Sequence, residues 1–334
     1  MLELVSMDEL KSKNLSTEAY KGVRDFYPED MAVQNYIFEM WRKVAKNFGY
    51  VEYGASILEL SELYRAKSSE EIVNDQMFTF KDRGDRDVAL RPEMTPTLAR
   101  MVAQKRKSLK FPLRWFSIPN VFRYERPQRG RKREHWQLNC DILGVAGIEA
   151  EIEIISIAHA IMKSFGADDK DFEIRINSRK LLQKIYTPIL KDPKKPEEMF
   201  RLMDKKDKME EKEFELEWQN LFTGPFKESA LEDSPELFAI IKTLKEKNIE
   251  AKFSPSITRG FDYYTDIVFE VFDTDPQNNR SLFGGGRYDN LLQIFGVEPV
   301  PAVGFGMGDV TIRDFLETHN LPTCVPLEAD AYKP

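Results

Sequence analysis

The run Glu134-His135-Trp136-Gln137-Leu138-Asn139-Cys140-Asp141-Ile142-Leu143 alternates apolar and polar residues, and its reading decides the fold. Successive side chains of an extended strand point to opposite faces. Trp136, Leu138, Cys140 and Ile142 therefore share one face, and Gln137, Asn139 and Asp141 the other. Residues 114–125 read as a second strand, in which Phe122 and Tyr124 alternate with Arg123 and Glu125. Between the two lies the loop Arg126-Pro127-Gln128-Arg129-Gly130-Arg131-Lys132-Arg133. The pair has a greasy face for packing and a polar face that mixes cations, acids and amides. A solvated sheet surface carries mostly Lys, Thr or Glu, whereas Arg, Glu, Gln and Asp together fit a ligand floor.

Outward from this pair the chain alternates helices with strands. Val33, Tyr36, Ile37, Met40, Trp41, Val44 and Phe48 recur at steps of three and four, which predicts a helix over 31–48. Asp30 is placed to cap its start and Gly49 to end it. Tyr50 to Tyr53 reads as a strand, and Glu149 to Phe165 as an apolar-rich helix. His159, midway along that helix beside apolar residues, fits a core position better than a catalytic one. From Lys191 to Leu216 the chain holds 8 basic and 9 acidic residues in 26, which predicts a separate, helical, highly solvated unit and not core. Sheet-like sequence returns over Ile257–Asp273, followed by Gly284-Gly285-Gly286, a strand at Pro301–Phe305 and a helix at Asp309–Thr318. The fold class expected is α+β.

Composition narrows the function. The chain has 334 residues, 42% hydrophobic and 31% charged, with 17 Gly and 18 Pro, values that fit folded and not disordered or collagen-like sequence. No apolar run approaches the 18 or so residues that span a bilayer. The N-terminus has no basic segment leading into an apolar stretch, so no secretory signal is read there, and a cytoplasmic protein is expected. Two cysteines, Cys140 and Cys324, and three scattered histidines cannot supply a disulfide framework or a metal cluster. A net charge of −7 argues against general coating of nucleic acid. Yet Lys105 to Arg133 holds eleven Lys or Arg and one acid, a local charge of +10. That suggests local work on phosphates, although a solvated basic loop would carry the same charge.

Single motifs are weak here. Gly304, Gly306 and Gly308 precede a helix, but their spacing is not that of a dinucleotide-binding loop, and no phosphate-cradling GxxxxGK[ST] occurs. The ordered combination is stronger: Lys21-Gly22-Val23-Arg24-Asp25-Phe26-Tyr27-Pro28, Leu90-Arg91-Pro92-Glu93-Met94-Thr95, Phe122-Arg123-Tyr124-Glu125-Arg126-Pro127-Gln128, Arg259-Gly260-Phe261-Asp262-Tyr263-Tyr264-Thr265 and Gly285-Gly286-Arg287-Tyr288-Asp289. Over residues 20 to 325 this set resembles the catalytic region of the histidyl-tRNA synthetases, a class II aminoacyl-tRNA synthetase family.

The resemblance implies an antiparallel sheet flanked by helices, a homodimer formed through the first motif, and activation of L-histidine with ATP followed by transfer to tRNA(His). It implies a catalytic region at 1–170, a helical insertion domain at 171–250, the rest of the catalytic region at 251–325, and the start of an anticodon-binding domain at 326–334. Arg123 and Arg259 are implied as catalytic. Arg123 would contact the α-phosphate, Glu125 the adenine side of ATP and Arg131 its terminal phosphates, with Mg2+ accompanying the nucleotide and no dedicated protein metal site. Glu93, Thr95 and Gln137 would accept from the histidine ammonium. Arg259 would bridge its carboxylate and the α-phosphate, a task suited to a planar cation that stays charged. Asp141 and Tyr264, with Tyr263 alongside, would read the imidazole; many family members carry Glu at the position of Asp141. Arg126 and Gln128 would meet the tRNA acceptor end, and Lys205, Lys206 and Lys208 lie in the insertion beside the acceptor stem.

The chain also departs from the pattern. Where the third class II motif ends in Gly-Leu-Glu-Arg, it reads Gly308-Asp309-Val310-Thr311. Arg313, about 200° further around a helix, cannot simply replace the lost arginine. The lost arginine favours one alternative, a catalytically inactive, synthetase-like regulatory subunit of ATP phosphoribosyltransferase; a third reading, a free-standing tRNA-binding module, is opposed by the acidic net charge.

Overall fold

The computed structural model describes residues 15–66, 68, 72–126, 128–206, 209–227, 230–278 and 280–324. Its helices are α1 (Pro28–Asn47), α2 (Ser61–Arg65), α3 (Thr95–Lys105), α4 (Glu149–Ser164), α5 (Arg179–Tyr186), α6 (Pro196–Lys205), α7 (Glu211–Leu221), α8 (Pro235–Glu246) and α9 (Asp309–Thr318). Its strands are β1 (Val51–Glu52), β2 (Leu58–Leu60), β3 (Phe78–Lys81), β4 (Asp87–Leu90), β5 (Leu113–Ser117), β6 (Asn120–Phe122), β7 (Glu134–Leu143), β8 (Phe172–Ser178), β9 (Ala251–Phe253), β10 (Ile267–Asp273), β11 (Ser281–Arg287) and β12 (Ala302–Gly308).

The main sheet runs β1-β5-β7-β12-β11-β10-β8-β9, with β6 beside β7, and β2-β4-β3 forms a small separate sheet. Its centre is antiparallel as expected. The two edges are parallel, β1 against β5 and β8 against β9, so the sheet is mixed. Both edge pairs are joined by long excursions that contain helices, the connection a parallel pair requires.

The predicted strand over 134–143 is β7, and its apolar face packs as the alternation requires. Leu138, Cys140 and Ile142 are buried in one large core with Ile37, Trp41 and Val44 of α1, Ile154 and Ile161 of α4, and Phe315 of α9. The partner strand differs from expectation. It is interrupted between β5 and β6, where Pro119 lacks the N–H that a ladder needs, and it ends at Phe122. Arg123 and Glu125 therefore lie beyond the strand. Helix α1 begins at Pro28, whose fixed φ suits the first helical position, so Asp30 sits in the first turn and does not cap it. Gly49 ends α1 with φ +82°, its N–H donating to Lys46 and that of Tyr50 to Ala45. The strand expected from Ile257 is confined to 267–273, because 257–266 form an irregular loop.

The helical region also needs two corrections. Residues 172–178, assigned to the insertion, form β8 within the main sheet, and Leu237, Ile240 and Leu244 of α8 join the main core. The helical unit proper is thus the stretch from α5 to Phe226. It is not merely solvated: Leu182, Tyr186, Met199, Phe200, Met203, Phe214, Trp218 and Phe222 form a core of their own. Lys208 and residues 326–334 lie outside the described residues. Among the described residues no helix is long and apolar enough to cross a membrane.

Candidate active site

Gln137, Asn139 and Asp141, the polar face of β7, form the floor of a cleft. Its walls bring together Glu93, Thr95, Arg123, Arg259, Tyr263 and Tyr264 from three other segments. Room for the floor's side chains comes from glycines on the neighbouring strand. In the β12–β7 register Gly304 faces Asp141, and a Cβ there would stand 2.1 Å from Asp141 Oδ1. A Cβ on Gly306 would stand 2.8 Å from the Gln137 amide carbon. These glycines give clearance to polar groups, the opposite of a phosphate loop.

Two buried carboxylates are held by tyrosines. Tyr263 donates to Glu93 Oε2 at 3.1 Å, and Ser68 donates to Oε1. Burial pushes the Glu93 carboxyl up, opposed by Ser68, the charge of Arg123 and Tyr263. Tyr288 donates to Asp141 Oδ1 at 2.5 Å. Burial pushes Asp141 up to about 7, with the Tyr288 bond opposing. Tyr263 meets Tyr288 edge-on at 5.9 Å, so the two carboxylates are linked through one aromatic wall.

Two cations complete the cleft. Arg259 lies at φ +61°, in the left-handed region that non-glycine residues adopt only when the surroundings enforce it. Its guanidinium donates to Glu270 Oε1 at 2.5 Å and to the Gly284 carbonyl at 3.3 Å, and its buried Nε has no hydrogen-bond partner. Arg123 donates to the Pro92 carbonyl at 2.9 Å and lies 5.9 Å from the Phe261 ring. Nearby His135 is pushed down to about 3 by burial and then by the charges of Arg123 and Arg24.

Other motif arginines are structural pins. Arg91 donates to the carbonyls of Ala55, Ser56 and Asn120 and to the Asn120 side chain, which fixes the segment that carries Glu93. Arg287 makes a two-pronged bond to Glu151 at 2.5 and 2.6 Å, and also reaches Val145, Gly147 and Asp289. Arg24 pairs with Asp309 at 2.7 Å, tying the first motif to the third. The local charge of +10 is dispersed in the same way. Arg114 pairs with Glu153 at 2.7 Å, Arg106 stacks on Phe111 and Arg133 on Tyr124.

Four expected residues do not line the cleft. Glu125, Arg126, Gln128 and Arg131 sit on the loop beyond Phe122, with Arg126, Gln128 and Arg131 exposed. Glu125 Oε2 is buried without a hydrogen bond, 3.6 Å from Arg131. Thr311 donates to the carbonyls of Leu282 and Gly308, and Arg313 pairs with Glu317 and Asp30, so neither is turned to the cleft. His159 is partly buried in α4 and meets Asp169 at 2.9 Å. Sequence reasoning assigned no role to Tyr288 or Phe261, although both stand in the quoted runs. Ser68 carried no signal, since only folding brings it to Glu93.

A small cleft with two acids, two cations and an aromatic wall suits a ligand that is itself a zwitterion with a polar ring, beside a second, anionic reactant. Comparisons with known proteins agree. The family model described as histidyl-tRNA synthetase matches residues 22–218 and 208–310. A histidine–tRNA ligase of Leptospira biflexa is 47% identical over 336 residues, covering 93% of this chain and 77% of the relative. One from Thermoplasma volcanium is 39% identical, covering 91% and 76%. Among solved structures, histidyl-tRNA synthetase from Nostoc has the same fold, with a TM-score of 0.77 at 20% identity, covering 93% of this chain and 78% of that one. A Bacillus halodurans structure, titled as an ATP phosphoribosyltransferase regulatory subunit/histidyl-tRNA synthetase, has a TM-score of 0.72 at 24% identity, covering 91% and 84%.

Proposed function

The chain belongs to the histidyl-tRNA synthetase family, and on that premise we propose that it activates L-histidine with ATP and transfers the histidyl group to tRNA(His). The histidine carboxylate attacks the α-phosphorus of ATP and pyrophosphate leaves. The terminal ribose hydroxyl of the tRNA then attacks the activated carbonyl, and AMP leaves. The observation that carries this reading is the convergence of Glu93, Arg123, Asp141 and Arg259 in one cleft. The regulatory-subunit alternative is not favoured, because the similar chains from Leptospira and Thermoplasma are both named histidine–tRNA ligases.

The family resemblance supplies the role of each residue. Glu93, Thr95 and Gln137 accept from the substrate ammonium. Asp141 and Tyr264, with Tyr263, take the two ring nitrogens, and a pocket built for both rejects apolar side chains by leaving its own polar groups unpaired. Arg259 and Arg123 hold the carboxylate and the α-phosphate together and stabilise the charge that develops between them. Glu125, with one buried carboxylate oxygen that accepts no hydrogen bond, takes an adenine amino group, and Arg131 the terminal phosphates. Arg126 and Gln128 meet the acceptor end of the tRNA, and Lys205 and Lys206 face its stem. The protein works in the cytoplasm as a homodimer joined through α1 and β1, a reading supported by the exposed Phe48 and Val51. Histidine-dependent exchange of labelled pyrophosphate into ATP tests the activity; a folded protein that shows none would refute it.

A further inference from the structure

The loop 257–266 carries Arg259, Tyr263 and Tyr264, yet it has no strand or helix of its own. It is held from the side where the helical unit leaves the sheet. Asn177, at the end of β8, donates to the carbonyls of Pro255 and Ile257 at 3.1 and 2.9 Å. Ser178 donates to Asp266 at 2.7 Å, and the Arg179 N–H donates to the Asp266 carbonyl at 3.0 Å. The Arg179 side chain then reaches the middle of the loop and donates to the Phe261 carbonyl at 2.8 Å.

Helix α6 closes the seam. The Arg179 guanidinium lies 3.8 Å from the centroid of the Phe200 ring. Thr258, fully buried, donates to the Phe200 carbonyl at 3.0 Å, and Arg201 pairs with Asp262 at 3.5 Å. Arg259 stands between Thr258 and the Phe261 carbonyl, so its left-handed backbone is clamped on both sides by contacts that involve Phe200 or Arg179. Arg179 is itself buried, with an Nε that has no hydrogen-bond partner. Burial pushes its guanidinium down to about 10, with the charge of Asp262 opposing. Filling this space with an apolar chain would avoid that desolvation cost, which argues that the directed bond to Phe261 matters here.

We propose that the seam of Arg179 and Phe200 makes the helical unit part of the amino-acid site, with Arg179 acting as a positioning residue that sets the placement of Arg259, Tyr263 and Tyr264. The inference rests on the histidine-activating reading of the cleft. It requires that loosening the seam weaken handling of the amino acid more than that of ATP, because the loop supplies Arg259, Tyr263 and Tyr264 to the amino acid and only Arg259 to the α-phosphate.

Arg179→Met keeps the volume and removes the bond to Phe261. In pyrophosphate exchange it is expected to raise the histidine KM about 10- to 100-fold, as small displacements of positioning groups do. The ATP KM rises at least about threefold less than the histidine KM, and Arg179→Lys, which can still donate, recovers part of the loss. Phe214→Leu loosens the core of the helical unit on its Trp218 and Phe226 side and leaves the histidine KM unchanged. Hydrogen exchange of the intact chain supplies a readout independent of activity: Arg179→Met speeds amide exchange in 258–264 and spares 267–273. Wild-type exchange rates in 258–264 of Arg179→Met, or equal KM changes in Arg179→Met and Phe214→Leu, would overturn the proposal. Absence of pyrophosphate exchange in the wild type would refute the activity itself, and the amide rates would still decide whether Arg179 orders the loop.

Discussion

In the cleft, Glu93 and Asp141 are each 3% exposed and lie against the hydroxyls of Tyr263 and Tyr288, with Arg123 and Arg259 alongside. In the helical unit, Trp218 stacks on Phe222 with centroids 3.8 Å apart, Tyr186, Phe214 and Phe226 crowd around it, and its Nε1 is satisfied by the Gly224 carbonyl at 2.8 Å. One region buries charge and keeps some donors and acceptors open; the other buries rings and leaves Trp218 nothing unsatisfied. Burial of ionisable groups opposes folding unless they are fully paired, whereas burial of aromatic surface favours it. The contrast separates a region shaped for a ligand from one shaped for stability.

The largest effect that would break this contrast is at Arg259. Arg259→Ala is expected to lower histidine-dependent pyrophosphate exchange about 10³-fold, in line with the loss of a charge-stabilising group, with folding intact by circular dichroism. Loss of folding instead would place Arg259 among the structural pins. Trp218→Ala should do the reverse, costing about 3–5 kcal/mol in urea unfolding as large aromatic truncations do, with exchange preserved at temperatures where the helical unit stays folded.

Gly304→Ala sharpens the boundary between the two behaviours. Its Cβ meets Asp141 Oδ1, so overpacking should cost about 1–3 kcal/mol, and the histidine KM should rise while the ATP KM holds. An unchanged histidine KM would show that Asp141 can move away freely.

The smallest expected effect is a gain of stability. Asp141 titrates at about 7 when folded, against an ordinary value of 3.8. Below the ordinary value both folded and unfolded states are protonated and the group is neutral in its effect. Between the two values the folded state keeps a proton that the unfolded chain has lost, so stability falls as pH rises, and above about 7 the full penalty is present. Asp141→Asn should therefore stabilise the ligand-free protein by about 1–2 kcal/mol at pH 8, after allowance for a weaker bond from Tyr288, and by nothing near pH 4. The same variant should lose histidine binding by calorimetry. Equal melting shifts at both pH values would mean that Asp141 is ionised in the fold at acid pH as well.

Much of the site was legible because its residues belong to local patterns. The alternation through β7 assigned Gln137, Asn139 and Asp141 to one face without knowledge of any partner, and that face is the cleft floor. The resemblance located Glu93, Arg123, Arg259, Tyr263 and Tyr264, and all five line the same cleft. Less was legible where structure depends on contacts between distant segments. The stretch from Lys191 read as solvated because charge dominates its composition, yet Met199, Phe200 and Phe214 meet Tyr186 and Trp218 in a core. Ile257 to Asp273 read as sheet-like throughout, yet residues 257–266 form a loop held by Asn177, Arg179 and Phe200.

By itself the sequence determined which side chains share a face of β7, since a period of two follows from the backbone of an extended strand. It also determined where α1 ends, since Gly49 accommodates the positive φ that the turn requires. Only the tertiary structure decided which arginines pin the fold and which serve the cleft. Arg91, Arg123, Arg259 and Arg287 all stand in quoted motifs and carry the same donors. Arg91 and Arg287 are engaged by groups from Ala55, Asn120, Gly147 and Glu151, whereas Arg259 and Arg123 line the cleft. A guanidinium's role is set by how many of its donors find fixed acceptors, and those acceptors come from segments that only folding brings together.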